Sequence, residues 1–417
     1  MNFSYWFSNR IRLRHDAPAS TSTGVVIAIV GVALALMVME LSLAVASGFK
    51  HEIERKVMGF DANISVLPAY DYYTATSAND MRLTDSLRKV ITTSLPQATP
   101  VQTFSRHAIL KTANDFMAVE CISKGDGHDS SFEKSIMVEG EWPEFSTPHS
   151  QDSVVISIPI ARKLGLNTGD KVYLYFFVDE QPKARRAFIS GLYQSNFGEY
   201  DDAIIYTSLP LMQQLGALDS LSCTSVAIEG LTKNDIEQAT ERLQNALLEA
   251  YSRGELTTVH PVNNVFNTGA LFFNWLDLLD TNVIVIFILM ICVATFTLIS
   301  SLFIIILDRV PTIGILRALG AARTQVSRIF VFTALRLVGI GMIIGNLLAI
   351  GLMLLQDATH FLPLDPQMYY LAYVPFEINW TSILALNIGI IGGAWLILIL
   401  PARLAARIDP AATMRYE

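Results

Sequence analysis

Two kinds of hydrophobic pattern alternate along the chain. Four stretches, 23–47, 282–307, 329–355 and 378–400, are apolar on every side and carry few charges. Each meets the roughly 20 apolar residues that a helix needs to cross a bilayer. Between the first two lies a long segment, 48–281, whose patterning is that of a globular domain. Period-two runs at 63–67 and 104–111 flank an amphipathic helix at 82–94, and the same order returns with 224–229, a helix over 233–251, and 256–260. Two β-α-β units separated by an insertion predict a split ferredoxin-like lobe. The insertion, about 132–221, reads as strands at 153–157, 171–178, 186–193 and 203–207. Turn residues Asn167-Thr168-Gly169-Asp170 and the 180–182 stretch supply its hairpin connections. This predicts a second, β-rich lobe, with no linker to part it from the first. The fold class is an α-helical membrane protein with four transmembrane helices plus an α+β extracytoplasmic domain.

Charge sets the orientation, because Lys and Arg collect on the cytoplasmic side. Arg10, Arg12 and Arg14 precede the first span, Arg309, Arg317, Arg323 and Arg328 fill the link at 308–328, and Arg403, Arg407 and Arg415 lie in the tail at 401–417. The opposite loop, 356–377, has Asp357, Asp365 and Glu377 and no Lys or Arg. Both termini and the link are therefore expected in the cytoplasm, and 48–281 outside it. The first stretch is too long for a cleaved signal and lacks a small-x-small site before a polar start, so it is read as a retained span. Ahead of it, Phe3, Trp6, Phe7 and Ile11 interleave with Arg10 and Arg14, the pattern of an amphipathic helix over 1–22 lying on membrane lipid.

Composition narrows the function. A mean hydropathy of +0.40 with 16% charged residues fits a bilayer protein. The net charge of −8, without a basic stripe, argues against nucleic acid as a partner. No G-x-x-x-x-G-K-[S/T] phosphate loop occurs, and neither H-E-x-x-H nor G-x-S-x-G is present. The seven histidines are scattered without metal-ligand spacing, and His128-Asp129 reads as a solvated turn. We therefore expect no catalytic residue, no metal and no cofactor on this chain. Of the three cysteines, Cys292 lies in an apolar run, while Cys121 and Cys223 would be either bridged or two free buried thiols.

Three stretches carry a family resemblance. SLAVASGFKHEIERKVMGFDANI (42–64) resembles a pattern of apolar helix, small-polar step, G-F, charged helix and G-F-D-A-x-I. IGILRALGAARTQV (313–326) is similar to an E-I-G-I-L-[KR]-A-L-G-A motif, and PARLAARIDPAATMRYE (401–417) to a P-A-x-x-A-A-x-x-x-P-x-x-x-L-R-Y-E ending. These are features of LolC/LolE-type lipoprotein-releasing ABC transporter permeases, within the MacB/FtsX-like superfamily. The resemblance implies a MacB-like periplasmic core over 48–281 and a place in the bacterial inner membrane. It also implies a P-loop ABC ATPase subunit carrying ATP and Mg, a second permease (self or paralogue), a lipoprotein substrate drawn from the outer leaflet, and a periplasmic LolA-like carrier. Two departures stand out. Thr312 replaces the acidic residue of the motif, and the hairpin that would bind the carrier, with Asp179, Glu180, Gln181, Pro182 and Lys183, is short.

The same residues read from below agree with that picture. In the link, Pro311 suits a helix start, and Gly320 a stop before Ala321. Ile313, Ile315, Leu316 and Leu319 give an apolar face among Thr312, Gly314, Arg317 and Ala318. Such a helix would couple to an ATPase by lying in a groove of it, or would lie on anionic lipid. Glu40 stands about 26 Å along the first span, near the outer boundary. An intramembrane carboxylate is a functional candidate, here as part of a lateral substrate entrance with Ser42, Ala46 and Phe49; the milder reading is a carboxylate snorkelling to water. Gly341 with Gly345, and Gly389 with Gly392 and Gly393, predict close helix packing. An efflux permease of MacB type or an FtsX-like activator of cell-wall hydrolases would keep the link motif without needing the G-F-D-A exit. A membrane-tethered receptor would explain the outer domain but not the link or three further spans.

Overall fold

A computed structural model of the chain describes residues 19–71, 76–77, 80–148, 150–178, 181–216, 218–308 and 310–405. The amphipathic helix expected near the N-terminus, and Arg407 and Arg415 of the tail, lie outside these residues. Two compact units form. One comprises Met1–His51, Trp275–Pro363 and Tyr373–Glu417; the other Glu52–Asn274 with Leu364–Ala372.

The four apolar stretches fall in helices Ala19–Phe60, Ala270–Asp308, Arg323–Thr359 and Trp380–Ala405, all long and apolar enough to span a bilayer. The small-polar step expected after the first span does not break its helix, which runs on through Ser47 and Gly48 to Phe60. Gly48 is there for packing: a Cβ on it would lie 2.8 Å from the Pro375 carbonyl oxygen. Val32 and Leu36 of the first span pack among Leu298, Leu302, Phe330 and Leu337. Gly341 and Gly345 let the third span approach the first, since added Cβ atoms would meet the carbonyl oxygens of Ile29 and Ala33 at 2.9 and 2.8 Å. Gly389, Gly392 and Gly393 do not repeat this, for nothing lies within 4 Å of their missing Cβ atoms.

The interspan unit is built on one ten-stranded sheet. Its ferredoxin-like end pairs Val262–Asn264, Ile64–Val66, Ser225–Glu229 and Thr99–Lys111 in that order. Helices Asp85–Ser94 and Ile236–Ser252 contact each other and bury Leu87, Ile91, Leu243 and Leu247. The strand expected at 256–260 is not formed; the ladder begins after Pro261, whose carbonyl accepts the Leu67 N–H. Leu256 fills the core without joining the sheet.

The β-rich part is a closed ring. Thr99–Lys111 pairs with Phe116–Lys124, then come Ile204–Thr207, Ser153–Ser157, Gln181–Tyr193 and Lys171–Val178, which returns to Ile109–Lys111. Phe104, Leu110, Val119, Ile156, Leu174 and Ile189 pack inside one cluster. The expected second lobe does not begin near residue 132, because two of its strands precede that position. Closure is the physical reason, since it leaves no unpaired edge among these strands. Met137–Gly140 and the short helices Ile158–Leu164 and Leu209–Gly216 were not expected.

Candidate functional site

The link between the second and third spans is a helix, Val310–Ala318, turning sharply into Arg323–Thr359. Gly320 makes the turn with φ +92°, a left-handed conformation that side chains disfavour. The Ala321 N–H donates to the Leu316 carbonyl at 3.0 Å and the Gly320 N–H to that of Arg317 at 3.1 Å, a Schellman stop. Arg317 then donates to the Ala321 carbonyl at 3.0 Å, and Gln325 accepts the Ala322 N–H at 2.9 Å to start the next helix. The four apolar residues expected on one face are divided. Ile313 is 2% exposed and packs inward, whereas Ile315 is 63% and Leu319 80% exposed. Leu316 is half-buried and Ala318 exposed. The outward apolar surface is therefore Ile315, Ala318 and Leu319. The side chains of Pro311 and Thr312 lie outside the described residues.

Glu40 does not snorkel. It is 1% exposed, and its Oε1 accepts from Asn387 of the fourth span at 3.3 Å. Asn387 and Asn346 of the third span exchange amide hydrogen bonds at 3.0 and 2.9 Å. Three helices are thus tied by side chains in an apolar setting. The sequence showed Glu40, but Asn346 and Asn387 stand out only once the spans are packed. An apolar cavity of about 310 Å³ also lies among the spans, lined by Leu36, Met39, Leu298, Val338, Gly389 and Gly393 among others. Ser42, Ala46 and Phe49 share another helix face. Ser42 and Ala46 are half-buried, while Phe49 is buried with its ring edge-on to Trp275 at 5.4 Å. The structure therefore does not bring Glu40 together with the other three.

The G-F-D-A exit has a physical meaning inside the interspan unit. A Cβ on Gly59 would overlap the ring of Phe132. Phe60 lies edge-on to Phe132 at 5.2 Å and stacks on Tyr200 at 4.5 Å. Asp61 accepts the Tyr200 hydroxyl at 3.0 Å. The helix carrying Phe132, Ser131–Ser135, also carries Glu133, which is the centre of a buried ionic cluster. Lys124 Nζ donates to Glu133 at 2.9 Å, and His128 bridges Glu133 at 2.9 Å and Glu229 at 2.7 Å. The solvated turn expected at His128 is corrected accordingly. Burial opposes ionisation of Glu133, but the His128 hydrogen bond and the Lys124 charge outweigh it and bring the carboxyl down to about 2. Burial would likewise lower the His128 pKa, yet its two carboxylate hydrogen bonds raise it. Cys121 and Cys223 are free and buried, and burial pushes the Cys223 thiol up to about 12.

The hairpin expected to bind a carrier is tighter than its sequence implied. Gln181, Pro182 and Lys183 are already paired to Val178, Phe177 and Phe176, so the connection is 179–180 alone. Asp179 and Glu180 lie outside the described residues.

The model of the FtsX-like permease C-terminal domain matches residues 284–410, taking in the last three spans and the link. Those residues therefore resemble an FtsX-like permease C-terminal domain. The chain is similar to the lipoprotein-releasing system transmembrane protein LolC of Xylella fastidiosa (strain 9a5c). The two are 23% identical over 395 residues, 90% of this chain and 89% of that protein. LolE of Haemophilus influenzae is 22% identical over 388 residues, 88% of each chain. Solved structures similar to part of the chain include the periplasmic region of MacB from Actinobacillus actinomycetemcomitans. It is 11% identical, covers 51% of this chain and 92% of that one, and has a TM-score of 0.34.

Proposed function

We propose that this chain is a permease, the transmembrane subunit of an ABC transporter that extracts lipoproteins from the outer leaflet of the bacterial inner membrane. The observation that carries the reading is similarity to LolC along nine-tenths of the chain, far beyond the residues that match the FtsX-like domain. In this reading both termini and the link face the cytoplasm and the interspan domain faces the periplasm. ATP and Mg are bound by a separate P-loop subunit, because this sequence has no phosphate loop. Ile315 and Leu319 offer that subunit an apolar ridge suited to a groove. A second permease, a copy or a paralogue, completes the membrane part. The lipoprotein enters beside Ser42, Ala46 and Phe49, Glu40 serves the same helix from its opposite face, and the short hairpin at Gln181–Lys183 meets a LolA-like carrier.

The test is purification in mild detergent with identification of co-purifying chains, followed by reconstitution with a radiolabelled lipoprotein. The permease alone should turn over no ATP; with a co-purifying P-loop subunit it should hydrolyse ATP and release lipoprotein. ATP turnover by the single chain, or release of soluble peptides in place of lipoprotein, would overturn the reading.

A further inference from the structure

Phe197 is fully buried just beyond the strand Gln181–Tyr193, and four rings surround it among the described residues. Phe60 stacks on it at 6.2 Å and Tyr200 at 4.9 Å, Phe272 leans on it at 4.9 Å, and Tyr370 meets it edge-on at 4.8 Å. Phe272 and Tyr370 also touch each other, at 5.6 Å. The position of Phe197 is itself fixed. Its N–H donates to Ser195 Oγ at 3.1 Å, and that hydroxyl donates to Asp201 at 2.6 Å.

The origin of these rings matters more than their number. Phe60 ends the helix that continues the first span, and Phe272 lies in the opening turn of the helix that becomes the second. Tyr370 belongs to the segment joining the third span to the fourth, which clusters with the interspan unit as Leu364–Ala372. Lys56 fastens this segment by donating to the Tyr370 carbonyl at 2.6 Å. Every covalent route from a span into this unit therefore arrives at one ring. Aromatic contacts of this kind are directional and densely packed, so displacement of one partner is passed to the others and not absorbed.

We infer that Phe197 is the positioning residue at which movement of all four spans is delivered to the interspan domain, and that residues 364–372 act as part of that domain, not as a spacer. The inference rests on the transport reading given above. Its test uses the full permease with its ATPase subunit in nanodiscs, comparing wild type with Tyr370→Ala, Tyr370→Phe and Phe197→Ala. Tyr370 is half-buried, so its loss spares the domain core should Phe197→Ala fail to fold. ATP turnover should stay within about twofold of wild type, while lipoprotein released per ATP falls about tenfold in both alanine variants, because ring contacts contribute beyond their buried area. Tyr370→Phe, which keeps the ring, should restore the ratio. Hydrogen exchange across 364–372 should speed up in Phe197→Ala. Unchanged exchange there, or a normal ratio in both alanine variants, overturns the inference. Wild-type complex that hydrolyses ATP but releases no lipoprotein overturns the transport reading instead, and the exchange measurement still decides the role of Phe197.

Discussion

Asn387 offers two amide hydrogens and faces three acceptors: Glu40 at 3.3 Å, Asn346 at 3.0 Å and the Ile383 carbonyl at 2.9 Å. In hydrocarbon no water replaces a lost partner, so removing one amide strands the other. Asn387→Leu or Asn346→Leu alone should each destabilise the detergent-solubilised chain by about 1 kcal/mol, within the range measured for interhelical hydrogen bonds. Asn346→Leu/Asn387→Leu together should cost less than the sum of the two, since both orphaned amides are gone. Thermal unfolding in one detergent provides the cycle, and strict additivity would refute the pairing. Glu40 was legible in sequence because a carboxylate in an apolar run is conspicuous. The two asparagines were not, because a neutral amide in a span acquires meaning only from the helix it faces.

At the scale of elements, the link and the ionic cluster make opposite demands on burial. The link leaves Ile315 and Leu319 exposed although its neighbour Ile313 is buried, so nothing among the described residues of this unit covers that ridge. Leu319→Asp should leave the fold intact, since the side chain is exposed, yet abolish ATPase recruitment. A carboxylate buried against a partner without a counter-ion costs several kcal/mol. Co-purification of the ATPase at wild-type yield would count against the ridge. The apolar face was visible in the sequence, but the corner at Gly320 decides which of its residues point outward.

The cluster around Glu133 predicts a two-sided pH profile. Glu133 is depressed from its ordinary 4.5 to about 2, so its contribution is present above 4.5 and is lost as pH falls toward 2. His128 is raised above 6.5, so its contribution is present below 6.5 and is lost as pH climbs through the raised value. Lys124, Glu133 and Glu229 are the charged groups facing it. Glu133→Gln should flatten the acid limb, which amounts to about 3 kcal/mol for a shift of this size. Melting curves from pH 3 to pH 8 (about one unit apart, the scale on which such groups titrate) would show the limb surviving if Glu133 were not its source. None of this was legible in sequence, where His128-Asp129 lies among glycines and resembles a solvent turn.

For the molecule as a whole, the spans and the ferredoxin-like end were readable because their periods are long and regular. The ring of strands was not. Thr99–Lys111 carries both partnerships, pairing Thr99–Thr103 with Ser225–Glu229 and Ile109–Lys111 with Tyr173–Tyr175. A period-two pattern states that such a strand exists and is silent about which neighbours it serves. The pattern therefore places the start of the β-rich lobe near residue 132, after the strand that belongs to both ends of the sheet.

That shared strand has a consequence for cooperativity. An appendage with its own core would melt on its own and would survive excision. Here the chain must fix Thr99–Lys111 once for both ends of the sheet, so loss of either end removes the register of the other. The interspan domain should give a single calorimetric transition, with van't Hoff and calorimetric enthalpies equal. Excision of 132–221 would leave Phe116–Lys124 without its partner Ile204–Thr207 and bare the apolar side of Leu110 and Val119. An exposed edge of that kind recruits other chains, so the shortened protein should aggregate on expression, and a soluble, monomeric product would contradict the single-body account.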